Sequence, residues 1–376
     1  METKNKNCSI ICPCSDDNNI IMSITEENKH KQKLGQFMTT NFKYILQKIY
    51  IPENITTIIE PFCGNGDLLN FIDKDKYIIE CYDIEPKKDF IIQRDTIKDP
   101  PIYTDKYLLT NPPYLARNKC SHKELFDKYD VNDFYKCVIK EIISNNPLGG
   151  ILIIPLNFWS SIRKNDVELR RDFLEKFNII QLNIFEEKVF NDTTYTICSF
   201  QFEQRKDTSI NVFNIDIYPS KNNIKTILNS KNNYTIGGNI YNLETKGHHK
   251  ITRITNKNKK NKNTNILVKC IDDNEDNKIG LSFVEDKDIY IDETPNQSAR
   301  TYASLIIEPS IDENKQKQLI KLFNSFLNNE RKKYNSLFLT NYRESKDIAR
   351  KRISFDLVYK IIEYILDNNY DINNEN

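Results

Sequence analysis

Residues 55–72 read ITTIIEPFCGNGDLLNFI. The first six residues are a β-branched apolar run, which favours a strand; Gly64 and Gly66 then supply a turn, and an apolar stretch from Leu68 starts a short helix. This is one βα unit, and the same texture recurs on both sides of it. YIIECYDIEP (77–86) predicts a second strand ending in acids, KDFIIQRD (88–95) a third and KYLLTNPPY (106–114) a fourth. A helix is expected over about 132–145, with Phe134, Val138, Ile139, Ile142 and Ile143 on its buried side, followed by strand ILIIP (151–155). A helix near 166–177 and strands NIIQLNIF (178–185) and TYTICSFQFE (194–203) continue the alternation. Upstream, LGQFMTTNFKYILQKIY (34–50) predicts a helix capped by Thr39 or Thr40. Apolar strands alternating with amphipathic helices imply an α/β fold with an open, mostly parallel sheet covered on both faces.

The chain has 376 residues, enough for two domains. Residues 1–30 are polar and are expected to form a flexible segment, residues 31–203 an α/β domain, and 204–376 a smaller α+β domain, because the texture turns Asn- and Lys-rich near 204. Toward the C-terminus a pair of helices stands out: 312–327 with Asp312 as cap, and 354–366 capped by Ser354. The formal net charge is +1, so attraction to a polyanion must come from local clusters. One such cluster lies between Lys246 and Lys269, with eight Lys or Arg and no acid, and includes Lys257, Lys259, Lys260 and Lys262. It reads as a flexible solvated loop or as a set of phosphate contacts. Arg350, Lys351 and Arg352 precede a helix N-terminus, where cations oppose the macrodipole unless a phosphate sits there; solvent screening is the plainer explanation.

Nine cysteines are scattered along the chain, an odd set that resembles no disulfide framework and suits a reducing compartment. Cys8, Cys12 and Cys14 form the only close group; with four histidines and no second cluster, no metal is assigned. No apolar run reaches the roughly 20 residues needed to span a bilayer, and the N-terminus lacks an apolar leader. A soluble, cytoplasmic protein with no membrane partner is expected.

Ligands of open α/β sheets bind outside the carboxyl ends of the strands. Glu60 with Gly64 and Gly66, Asp83 with Glu85, Asp95, and Asn111-Pro112-Pro113-Tyr114 should therefore converge. The glycines permit close backbone approach, and an acid ending the second strand is placed for ribose hydroxyls, which describes a nucleoside site. A dinucleotide site fits less well, because Leu69 stands where a third glycine belongs and the loop has no base for a pyrophosphate. Both prolines stiffen the last turn and leave carbonyls without ladder partners. With the Asn111 side chain as a further acceptor and Tyr114 as a flat face, the turn suits a planar group bearing an amine.

The ordered set GQFMTT (35–40), EPFCGNGDLL (60–69), YDIEP (82–86), RDTI (94–97) and NPPY (111–114) resembles the motifs of S-adenosylmethionine-dependent DNA adenine-N6 methyltransferases, γ group, in which the target-recognition domain comes last. The resemblance covers roughly residues 33–203. It implies a Rossmann-like methyltransferase domain and S-adenosylmethionine as cofactor, with Thr39 or Thr40 and Glu60 at its methionine part, Asp83 and Ile84 at the ribose side and Asp95 at the adenine amine. It also implies catalysis by Asn111, Pro112, Pro113 and Tyr114 on the amine of a flipped adenine, with Phe190 as a second aromatic against that base, unless Phe190 is a core residue. Thr40 stands where the family usually has proline and Glu60 where it often has aspartate; both keep the polarity. Double-stranded DNA is then the partner, within a restriction-modification pair whose endonuclease acts separately. RNA or a protein glutamine as acceptor, and a non-catalytic nucleic-acid-binding protein on the same scaffold, are the alternatives; about 170 residues after the core speak against the glutamine acceptor, and the intact Asn-Pro-Pro-Tyr set against a non-catalytic scaffold.

Overall fold

The computed structural model describes residues 39–120, 123–190, 195–273, 278–293, 301–342 and 350–368. The N-terminal segment, with Cys8, Cys12 and Cys14 and the residues GQFM, lies outside them.

Nine strands form one sheet: β1 (Thr57–Glu60), β2 (Ile78–Asp83), β3 (Ile92–Gln93), β4 (Tyr107–Thr110), β5 (Gly149–Pro155), β6 (Phe177–Phe185), β7 (Ile197–Gln204), β8 (Val212–Tyr218) and β9 (Asn222–Ile227). Their order is 3-2-1-4-5-7-6-8-9. Strands β3, β2, β1, β4 and β5 are parallel, β7 runs antiparallel between β5 and β6, β6 and β8 are parallel, and β9 closes a hairpin on β8. This is the expected mostly parallel α/β sheet. β5 is buried along its whole length, which explains why it reads as a continuous apolar run. The helices Phe134–Asn145 and Lys164–Lys176 lie where the periodicity placed them. The first helix is only one turn, Phe42–Ile45, and follows Asn41, not either threonine.

The sheet does not stop at the change of texture near 204. Strands β8 and β9 belong to it, so the first unit runs past residue 227. Phe213, Ile215 and Ile217 are buried at alternate positions of β8, separated by Asn214 and Asp216, within a stretch whose surroundings are rich in asparagine and lysine.

A second apolar core begins at Ile240. It lies under an antiparallel sheet of order 10-13-11-12, made of β10 (Lys250–Arg253), β11 (Ile266–Lys269), β12 (Gly280–Phe283) and β13 (Tyr302–Glu308). The helices Glu313–Tyr334 and Phe355–Asp367 cover it, capped as expected: Lys315 N–H donates to Asp312 at 2.8 Å and Leu357 N–H to the Ser354 hydroxyl at 3.1 Å. A two-stranded ladder, β14 (Thr340–Tyr342) with β15 (Arg350–Arg352), completes this α+β unit.

The connection between the units is held by Arg170, which is fully buried. Its guanidinium donates to the carbonyls of Phe158 and Ser161 on the first unit and to the Tyr234 carbonyl and Thr235 hydroxyl of the connection, at 2.6–2.7 Å. No helix among the described residues is long and apolar enough to cross a membrane.

Candidate functional site

The strand order reverses between β1 and β4, and the crevice beyond their carboxyl ends is where a sheet of this kind takes a ligand. Glu60 ends β1, Asp83 ends β2, and Asn111 follows β4. After Glu60 the backbone enters the left-handed region at Gly64 (φ 54°) and Gly66 (φ 76°), which a side chain would disfavour. Asp83 shapes this loop: one carboxylate oxygen accepts from Gly64 N–H at 2.7 Å and the other from Glu85 N–H at 2.9 Å. The Thr96 hydroxyl donates to the Pro61 carbonyl at 2.8 Å, tying the chain after β3 to the same loop.

Glu60 is 2% exposed, and its Oε2 has no hydrogen-bond partner. Burial first, then Cys81 and the carboxylates of Asp83 and Asp67, push its carboxyl well above the ordinary range against an opposing pull from Cys63. Burial also raises Asp83, opposed by the amides of Glu85 and Gly64. Such a pocket disfavours its own negative charge and is relieved by a cation.

Asp95 is half-exposed, accepts from Lys98 N–H at 3.2 Å and pairs with the Lys98 ammonium at 3.3 Å. Ile84, next to Asp83, is 41% exposed, and Phe90, also exposed, passes over Gly66, where a Cβ would lie 3.4 Å from its ring. Together they leave an apolar surface beside the loop.

At the end of β4 the Asn111 amide nitrogen donates to the Thr39 hydroxyl at 3.0 Å, which turns its oxygen the other way. Thr39 is buried and Thr40 exposed, so Thr39 is the threonine that joins the site. The Tyr114 hydroxyl reaches two acceptors, the Asn111 side-chain oxygen and the Ile153 carbonyl, the latter at 2.7 Å. One proton serves only one of them at a time. The ring is 3% exposed and meets Tyr135 and Tyr195 edge to face, with centroids 6.2 and 6.3 Å away. Tyr114 thus joins the site through its hydroxyl, and its ring is packed rather than open. Phe190 is 4% exposed within the main apolar cluster, so its observed surroundings are those of a core residue.

Sequence reasoning passed over Asp133. It precedes the helix Phe134–Asn145 as a cap would, yet makes no side-chain cap hydrogen bond. It bridges to Ala116 just after the Tyr114 turn, and its Oδ1 has no hydrogen-bond partner. Burial pushes its carboxyl up to about 7, opposed by Lys136 and nearby amides. An acid directly before an apolar helix looks like an ordinary cap in sequence, so no local signal marks it.

The basic residues divide. Lys257, Lys259 and Lys260 are exposed. Their segment is a hydrogen-bonded turn: the Asn258 oxygen accepts from Thr255 N–H at 2.7 Å, and Asn258 donates to the Arg253 carbonyl at 3.1 Å. Lys262 pairs with Asp286 at 2.5 Å. Lys351 pairs with Glu186 at 2.6 Å across the two units, with its side chain only 14% exposed, so it is a junction residue in this structure. Arg352 follows it in β15, whose backbone also carries Arg350.

No protein-family model matches the sequence, and no curated protein matches it. Among solved structures, the chain is similar to a type I restriction-modification system methyltransferase subunit from Streptococcus thermophilus, at 13% identity over 51% of this chain and 50% of that one, with TM-score 0.38. It is also similar to the type I restriction enzyme EcoKI M protein, at 12% identity over 54% of this chain and 56% of that one, with TM-score 0.36. The type ISP restriction-modification enzyme LlaGI, solved as a nuclease-deletion mutant with a DNA substrate mimic, matches at 13% identity over 65% of this chain and 36% of that one, with TM-score 0.41. The matched region spans about half the length of the two type I subunits, and at these identities and TM-scores the likeness assigns no activity to this chain.

Proposed function

We propose that this chain is an S-adenosylmethionine-dependent DNA methyltransferase that acts on the N6 amine of a flipped adenine within a short duplex sequence. The observation that carries the reading is the Asn111 side chain. It sits at the carboxyl end of β4 beside the switch point, with its nitrogen committed to Thr39 and its oxygen therefore presented as an acceptor. Glu60 and the two left-handed glycines suit the cofactor: a buried carboxyl group with one oxygen lacking a hydrogen bond matches an ammonium, and glycines at 64 and 66 admit close approach. Asp83 retains acceptor capacity on both oxygens after its two amide bonds and would take the ribose hydroxyls. Ile84 and Asp95 would flank the cofactor's adenine.

When bound, S-adenosylmethionine supplies a methyl group activated by a sulfonium. The chain's own role is to make the amine a better nucleophile. The N6 lone pair is delocalised into the ring, and if the Asn111 oxygen and the Pro112 carbonyl each accept one N6–H, the nitrogen is drawn toward a tetrahedral geometry. Rotation of the Tyr114 hydroxyl proton toward the Ile153 carbonyl would turn that donor away from the Asn111 oxygen. Pro113 holds the turn stiff. Positioning and electrostatics then lower the barrier: as the N–CH3 bond forms the S–CH3 bond breaks to leave a thioether, and the methylated amine, now far more acidic, releases one proton to solvent, so no strong base is required. The target atom is inaccessible in a duplex, so the base must leave the stack. Stacking of that base on Tyr114 or Phe190 requires those rings to become accessible on binding.

The C-terminal unit would read the target, with Lys257, Lys259 and Lys260 on phosphates. A role as the protective half of a restriction-modification pair, with a separate endonuclease, follows from the same reading. The test is incubation of the purified protein with S-adenosylmethionine and a mixed-sequence plasmid, or an RNA of the same sequences, and single-molecule mapping of modified bases. N6-methyladenine recurring in one short DNA sequence supports the proposal; methylation of RNA alone, or no transfer, defeats it.

A further inference from the structure

Glu60 has neighbours beyond its own loop. In the parallel pairing of β1 with β2, Glu60 lies opposite Cys81, so the two side chains share one face of the sheet. The loop after β1 then folds back, with Cys63 N–H donating to the Tyr82 carbonyl at 2.9 Å, and brings a second thiol to the same place. A carboxylate oxygen of Glu60 and the sulfurs of Cys63 and Cys81 lie within 4.8 Å of one another, and all three residues are buried. Both cysteines are free thiols. Independently of this clustering, Glu60 Oε2 lacks any hydrogen-bond partner.

We propose that Glu60, Cys63 and Cys81 bind one thiophilic divalent cation of the zinc type when the cofactor is absent. Two thiolates and a carboxylate select a zinc-like ion over magnesium or calcium, which demand oxygen ligands. Zinc–sulfur bonds of about 2.3 Å in a tetrahedral site place two sulfurs roughly 3.8 Å apart, so the observed cluster needs only a small contraction. The glycines at 64 and 66 let the loop make it. Three protein ligands leave a fourth position open. Binding releases the thiol protons to solvent, so affinity rises with pH. The site itself does not depend on the methyltransferase reading. Competition does rest on it, since Glu60 cannot hold the metal and the cofactor's ammonium together.

The probe is the metal alone. Reduced, chelator-stripped full-length protein is titrated with Co2+, whose thiolate coordination gives a near-ultraviolet charge-transfer band, and then with Zn2+, which displaces it. One equivalent per chain is expected, with the band kept in a Cys8→Ser, Cys12→Ser, Cys14→Ser variant and lost in Cys63→Ser with Cys81→Ser. Glu60→Gln, nearly isosteric, should lower the affinity at least about tenfold. A band that never forms, that depends on the N-terminal cysteines, or that survives the double variant overturns the site. If the double variant fails to fold by circular dichroism, unchanged affinity in Glu60→Gln overturns it instead. Calorimetry with S-adenosylmethionine separates the two readings. Cofactor that binds metal-free protein and weakens zinc binding supports competition, and cofactor that binds without weakening it removes competition. Failure of the cofactor to bind at all counts against the methyltransferase reading and leaves the metal result standing.

Discussion

The two units of this protein differ in how some of their buried acids are partnered. In the nine-stranded unit two buried acids are under-partnered: Glu60, at the end of β1, has an oxygen with no hydrogen bond, and Asp133, before the helix Phe134–Asn145, has another. In the C-terminal unit, among the described residues, the buried acids Asp273 and Asp367 have partners: Arg331 pairs with Asp273 at 2.6 Å, and Asp367 accepts from Lys246 N–H and contacts His249. Leaving a buried polar group unmatched costs stability, which a fold tolerates where a ligand completes it. The difference supports placing the proposed chemistry in the first unit.

The largest expected effect tests whether Phe190 belongs to core or site. Phe190→Ala should destabilise the protein by about 3–5 kcal/mol, the usual cost of emptying a packed aromatic position. Urea unfolding reads this directly, and a variant of normal stability that no longer captures an extruded 2-aminopurine would return Phe190 to the site.

Next comes Asn111→Ala. Loss of one preorganised polar contact should slow single-turnover methylation by about 100-fold or more while calorimetry shows the cofactor still binding. Normal turnover would remove the observation on which the functional reading stands.

Asp133 sharpens the contrast through pH. Its carboxyl is raised in the folded state to about 7 from an ordinary value of 3.8, so the folded protein holds this proton more tightly than the unfolded chain. Its contribution is therefore most favourable below the unfolded value and is lost as pH rises from about 4 to about 7, by on the order of a few kcal/mol. Asp133→Asn should flatten the urea midpoint across that window, and an unchanged slope would mean that water or a counterion satisfies the acid.

The smallest effect belongs to the second unit. Replacing Lys257, Lys259 and Lys260 together by glutamine should weaken DNA binding on every sequence and reduce the salt slope of log affinity by about 2 to 3, leaving the methylated sequence unchanged. Lys262→Gln should change the slope less, because Asp286 already neutralises that charge. A new recognition sequence in the triple variant would show that the turn reads bases.

Much of this molecule was legible in one dimension. Strands β1 to β7, the helices after Asp312 and Ser354, and the glycine turn after Glu60 announce themselves because apolar period, capping and backbone freedom are properties of neighbouring residues. The order of strand-ending acids and amide was readable for the same reason. What the tertiary structure alone decided depends on residues far apart in the chain. β8 enters the first sheet by pairing with β6 and brings β9 with it, Lys351 is drawn to Glu186 and away from solvent, and Tyr114 turns its ring into a cluster with Tyr135 and Tyr195. Thr39 rather than Thr40 meets Asn111, and Cys81 comes opposite Glu60. Burial and partnership are set by the whole packing, so a lysine, a tyrosine or a cysteine carries no local mark of which neighbour it will have.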